Sequence, residues 1–300
     1  MDRRLGPLIG LHRNAIDGAE PGGRTLATGA QAARFADAAS PRSGLLRVAR
    51  PLFVYVRTMA VFLVAWALVA RLTGNNVLLP SPLAVFEALV GLAKDRELFF
   101  HAGVSFSRMV ASLVMASLLA IPLGIAMGLS RKFAEIVDPT IELLRPISGI
   151  AWIPLALFIF GIGNALPLFI MTYAGFFPIL LGTIAGVRGV DARLVDAARI
   201  MGVPRRVIVT RVVVPASLPA LMVALRLGVA SSWTAVVAAE LIGAPSGLGY
   251  AVEWYRELLA TPQVMSFIAM IGVLGYLCDL GVRSLSRWLT PWAREARARR

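Results

Sequence analysis

The chain has 300 residues, 58% hydrophobic and only 16% charged, with a mean hydropathy of +0.75 and a net charge of +13. An average soluble domain is about 45–50% apolar and about 25% charged, so the composition excludes an ordinary soluble globule and favours a polytopic membrane protein. The only lysines are Lys94 and Lys132, the only histidines His12 and His101, and the only cysteine Cys278. That set excludes a phosphate-binding P-loop, a zinc centre, an HExxH protease site and an intrachain disulfide, so no catalytic or metal-ligating residues are expected.

Residues 1–45 are polar and rich in Arg, Ala and Gly, and no apolar run in them is long enough for a signal peptide. They read as a disordered cytoplasmic tail. The rest, 46–292, reads as one membrane domain, with a basic cytoplasmic tail over 293–300. Spans are expected near 52–72, 109–130, 147–162, 165–187, 218–243 and 264–285, six in all, with five as the alternative. The third and fourth come from one argument. No charged side chain lies between Arg145 and Arg188, a stretch that as one helix would reach roughly 63 Å, twice the hydrocarbon thickness. The turn signal "FGIGNALP" divides it. The third span is short and holds Pro154, so a kink is expected there.

Between the first two spans, Ser81 followed by Pro82 is a helix start. Leu83, Phe86, Leu89, Val90 and Leu98 are expected on one side of that helix, which reads as interfacial on the external face; a seat for an external binding protein is the other reading. Arginines are concentrated in the N-terminal tail, in the loop 131–145 (Arg131, Lys132, Arg145), around 188–211 and in the C-terminal tail. The positive-inside rule then puts both termini and the 188–211 segment in the cytoplasm. The same bias explains the net positive charge, and no basic stripe interleaved with aromatics offers a nucleic-acid site.

The charged segment 191–215 interrupts the apolar background. Asp191 can cap a short helix with Leu194, Val195, Ala198 and Met201 at helical spacing. Gly202 suits a left-handed C-terminal position, and Pro204 the first position of a second short helix that Pro215 stops. The result is an elbow, too polar to insert and apolar on one face. That face needs either a partner protein or a seat on its own bundle or the lipid headgroups.

The segment resembles the cytoplasmic motif of permease subunits in binding-protein-dependent ABC importers, E-A-A, three residues, Gly, nine residues, I-x-L-P. Here Asp196, Ala197 and Ala198 are followed by Gly202 and, nine residues later, by Val212, Val213, Val214 and Pro215. The spacing is identical; the departures are Glu to Asp, Ile to Val and Leu to Val. "LLPSPLAVFEAL", "GIAMGLSRKFAEIVDPTIELLRPI", "AWIPLALFIFGIG" and "WTAVVAAELIGAPSGLGY" are similar to the nitrate, sulfonate and taurine branch of that family over about residues 50–292. The resemblance implies an all-α type I importer fold with the elbow as coupling helix. It further implies two permease copies, two ATPase subunits that bind ATP and Mg2+, an extracytoplasmic binding protein and a multi-pass inner-membrane location. In that picture Asp196, Ala197, Ala198, Gly202 and Pro215 shape the docked elbow. The cargo is expected to be a small anion. An ion-gradient transporter is the rival, and its acidic candidates would be Glu240 and Asp279.

Ionisable residues within spans are costly and mark function or pairing. Arg226 either faces the translocation path, where a guanidinium matches a sulfonate or carboxylate, or snorkels or bonds a neighbouring helix. Ser231, Ser232, Trp233 and Thr234 are candidates for the path, or for helix packing. Glu240 is expected to anchor the loop after Gly243 or to pair with a neighbour. Asp279 and Arg283, four residues apart, can pair with each other.

Overall fold

The computed structural model describes residues 41–292, and among them every regular element is helical. The tail 1–40 and the basic tail 293–300 lie outside the described residues. Positions 41–45, expected to be part of the tail, are instead the first turn of helix α1 (Pro41–Thr73). Pro41 suits that place because its missing N–H has no helical acceptor there. The helix ends at Gly74, whose φ is +61°. The chain divides into two units, one ending at Val64 and one beginning at Ala65. In the first, Val56, Val61, Phe62 and Val64 are all exposed, as an apolar helix in lipid would leave them.

The second unit contains the remaining elements. Helix α2 (Pro82–Lys94) starts as expected, with Ser81 Oγ accepting from the Ala84 amide. It buries Val85 and Leu92 and leaves Leu83 and Phe86 exposed. Helix α3 (Glu97–Leu129) begins well before the expected 109. The supposed loop 131–145 is helix α4 (Arg131–Leu144), capped by Ser130. Its charges hid it: Arg131, Glu135, Asp138 and Glu142 share one helical face, and the apolar face with Ala134 and Ile141 is turned onto α3 and α6. A 3-10 turn (Gly149–Trp152) and α5 (Ile153–Phe160) follow, bent by 79° relative to α4. The expected third span, 147–162, is therefore no single helix: it holds the 3-10 turn and α5 and lies beyond the bend from α4.

Helix α6 (Ala165–Arg188) lies between α3 and the long helix α9 (Val214–Gly243). Small residues allow this approach. A Cβ on Gly124 would meet Thr183 Cβ at 2.7 Å, and one on Gly128 would meet Val187 at 2.6 Å. On the other side of α6, Gly175, Gly182 and Gly186 face Ser232, Ala224 and Ala220. Such close backbone contact is how helices associate where lipid is as apolar as leucine. Helix α10 (Leu248–Glu257) and α11 (Thr261–Leu289) complete the bundle, with Phe267 of α11 buried against Leu98 and Leu248. Among the described residues five helices are long and apolar enough to cross a membrane, and a sixth crossing exists if α4 and α5 are one broken span.

Candidate functional site

The segment after α6 folds into the expected elbow. Helix α7 (Ala192–Ile200) is capped by Asp191, whose Oδ1 accepts from the Arg193 amide at 2.9 Å. Gly202 takes φ +72°, and α8 (Arg205–Ile208) begins after Pro204. One expectation fails: Pro215 does not stop the second helix. α8 passes through a π turn (Val209–Val213) straight into α9, so 205–243 is continuous. Pro215 lacks an N–H and its ring crowds the carbonyl four residues back; the wider turn before it accommodates both.

α7 has two apolar faces. Ala198, with Val195, packs inward on Val187, Ile208 and Val213. Leu194 (53% exposed), Ile200 (87%) and Met201 (74%) point outward, with Ala197 exposed among them. The two readings of the elbow thus belong to different sides of one helix: one side is seated on the chain's own bundle, the other is uncovered. Asp196 and Gly202 are on the exposed surface, and Asp196 pairs with Arg199 at 3.2 Å.

The polar residues of α9 are mostly engaged in packing. Ser232, fully buried, donates from Oγ to the Met171 carbonyl at 2.9 Å, and Trp233 Nε1 donates to the Ile271 carbonyl at 3.2 Å. Thr234 donates to its own helix at Ala230, while its side chain stays exposed and Ser231 is half-buried. Arg226 bonds a neighbouring helix: its Nε and Nη2 reach Asp279 of α11 at 2.5 and 3.2 Å. Asp279 also pairs with Arg283 at 2.5 Å, so the expected i,i+4 pair is part of a triad.

Sequence reasoning found only Glu240 of the most buried polar cluster and missed its partner, Arg108. Arg108 and Glu240 are 6% and 0% exposed, and Arg108 Nη1 donates to Glu240 Oε1 at 2.7 Å. Arg108 also donates to Asn164 Oδ1 at 2.6 Å from Nη2 and to the Ser246 carbonyl at 2.5 Å from Nη1. Glu240 Oε2 accepts from Ser105 Oγ at 2.7 Å and from the Gly249 amide at 3.0 Å. The Gly247 amide donates to His101 Nδ1 at 3.1 Å. One charge pair therefore fastens α3, the turn before α6, the end of α9 and the 244–249 turn. Glu240 both pairs and anchors the loop after Gly243. The available signal was the glutamate alone, a charge three residues from the end of an apolar run.

Comparisons with known proteins complete the picture. Residues 120–295 match the family described as binding-protein-dependent transport system inner membrane component. The chain is 39% identical over 251 residues to the taurine transport system permease protein TauC of Escherichia coli K12, covering 82% of this chain and 91% of that one. It is 34% identical to the putative aliphatic sulfonates transport permease protein SsuC of the same organism, over 83% and 93% of the two chains. It is 30% identical to the bicarbonate transport system permease protein CmpB of Synechococcus elongatus, over 76% and 86%. In fold it is similar to the inward-facing MetNI methionine ABC transporter, with a TM-score of 0.55 at 20% identity over 62% of this chain and 93% of that one. The chain belongs to the binding-protein-dependent inner-membrane components: it is a permease subunit of an ABC importer, non-catalytic itself, with ATP hydrolysis left to a separate chain.

Proposed function

We propose that this permease carries a small anion of the sulfonate or carboxylate kind, with the elbow as the cytoplasmic seat of the ATPase. Two copies of the chain, two ATPases and one extracytoplasmic binding protein would make the working importer. The observation that carries this reading is the uncovered outer face of α7. Leu194, Ile200 and Met201 are large, apolar and exposed on a helix whose opposite face is already fixed to the bundle. A firmly seated helix with a second apolar face is suited to a protein groove. Ala197 permits close approach there, Asp196 offers charge at the rim, Gly202 sets the turn and Pro215 the junction with α9.

The anionic cargo is supported by the relatives' names, and the pairing of two acidic residues within spans tells against an ion-gradient mechanism. Glu240 and Asp279, which an ion-gradient transporter would need, each sit against arginine. Along α9, Ser231 and Thr234 line the path, while Arg226, Ser232 and Trp233 hold helices together.

The test is affinity purification of the tagged chain from its own membranes beside Ala197→Glu and Gly202→Arg variants. The wild type is expected to bring down an ATPase in equal amount, and both variants to lose it while remaining in the membrane. Retention of the ATPase by both variants would refute the docking assignment.

A further inference from the structure

The geometry points to a binding site for the acid group of a small organic anion at the break between α4 and α5, with Arg145 as its ligand. The inference rests on the importer reading above and gives its cargo a place in the chain. The sequence suggests Arg145 as a loop residue at the membrane surface. The structure puts it elsewhere. Arg145 lines a cavity of about 430 Å3 together with Ser148, Gly149, Tyr173, Phe177 and Leu181. The last three lie around the middle of α6, which runs from Ala165 to Arg188. Tyr173 fixes the height of the break by donating from its hydroxyl to the Leu144 carbonyl at 2.7 Å. Ala134 and Ile141 of α4 are buried in the same core as Met127, Ala120, Phe177 and Leu180, so α4 climbs alongside the spans from their ends to mid-depth.

A guanidinium at that depth does not face lipid without heavy cost. Among the described residues it has no carboxylate within ion-pair distance, unlike Arg108, Arg226 and Arg283. The helix below it explains how it stays hydrated. α4 has three faces: Ala134 and Ile141 packed, Ile136 and Leu143 exposed and apolar with Lys132 one turn before them, and a row of Arg131, Glu135, Asp138 and Glu142 that continues at helical spacing to Arg145, the residue after the helix. That row belongs in water while its apolar neighbours belong in lipid, so the polar face lines an aqueous passage that ends at Arg145. Non-helical backbone within a membrane is tolerated where it lines such a space, and helix breaks at mid-depth are where transported solutes bind. The same turn holds Trp152, whose buried Nε1 has no acceptor among the described residues. Arg145 supplies the forked charge for a sulfonate or carboxylate, Ser148 a hydroxyl, and Tyr173 and Phe177 an apolar wall.

The test needs no knowledge of the natural cargo. Ser148, exposed and making no capping bond, is changed to Cys in a Cys278→Ala background. The permease is purified with its ATPase into lipid nanodiscs, so both faces meet the reagent. Two water-soluble thiol probes are compared, 2-sulfonatoethyl methanethiosulfonate and its trimethylammonium counterpart. Leu118→Cys, at a position 69% exposed on α3 near Ala120, is the lipid-facing control. The Ser148→Cys thiol is expected to react well above the control thiol and to prefer the sulfonate by about tenfold; Arg145→Gln abolishes the preference and Arg145→Lys keeps it. A Ser148→Cys thiol no faster than the Leu118→Cys one, or a preference that Arg145→Gln leaves unchanged, overturns the site. ATPase co-purification in each preparation reads the importer assignment separately, since none of these changes touches the elbow.

Discussion

Arg108 and Glu240 show what one buried charge demands of its neighbours. Each is fully supplied with partners, so the pair costs little as it stands, but removing either leaves the other charged and buried. Arg108→Met is expected to lower stability by about 3–5 kcal/mol, read as a fall in the thermal midpoint of the purified protein. Arg108→Met with Glu240→Leu should recover part of that loss; a double variant no better than the single one would show that the neighbouring turns depend on the charges themselves. This cluster was half legible. The glutamate's role as a loop anchor follows from its place near the end of an apolar run. Its partner was hidden because an apolar window is most easily closed by stopping at Arg108, and a guanidinium satisfied by residues 56 and 132 positions away leaves no local trace.

Among the elements, the elbow was the most readable because its determinants are local: an Asp cap, a glycine at positive φ and a proline at a helix start. α4 was the least readable. Its charged row resembles a loop unless the apolar face at 134 and 141 is given a partner, and that partner is supplied by residues of α3 and α6. The junction of α3 with α10 makes a prediction of its own. Tyr255 donates from its hydroxyl to Glu97 at 2.8 Å. Burial first, and then the hydrogen bond to Glu97, push its phenol up to about 12 from the ordinary 10.0. The folded protein thus holds the proton more tightly than the unfolded chain. The stability this contributes is complete below about pH 10 and is lost as pH rises from there to about 12. Unfolding midpoints measured across that window should fall more steeply for the wild type than for Tyr255→Phe. Parallel curves would remove the phenol from the account.

For the whole molecule, hydropathy gave the membrane class and six expected spans, five of which match helices long enough and apolar enough to cross. The expected span at 147–162 takes in α5 but not α4, whose charged row kept it out of an apolar window. Fold and family were open to reading, since spacing and composition are sequence properties. The mid-depth position of Arg145 was not, since depth is set by the packing of α4 on its neighbours.

The continuity of α8, the π turn and α9 has a mechanical meaning. From Arg205 to Gly243 the chain is a single rod of 39 residues, roughly 58 Å long at 1.5 Å per residue. The elbow is welded to one end, and the Arg108–Glu240 clasp holds the other. A tug at the elbow is therefore delivered as a tilt of the whole rod, with little slack to absorb it. Two glycines inserted after Val209 would turn that crankshaft into a rope. The ATPase should still bind and hydrolyse ATP, while solute uptake per ATP falls steeply. Unchanged uptake would mean that force enters the bundle by another route.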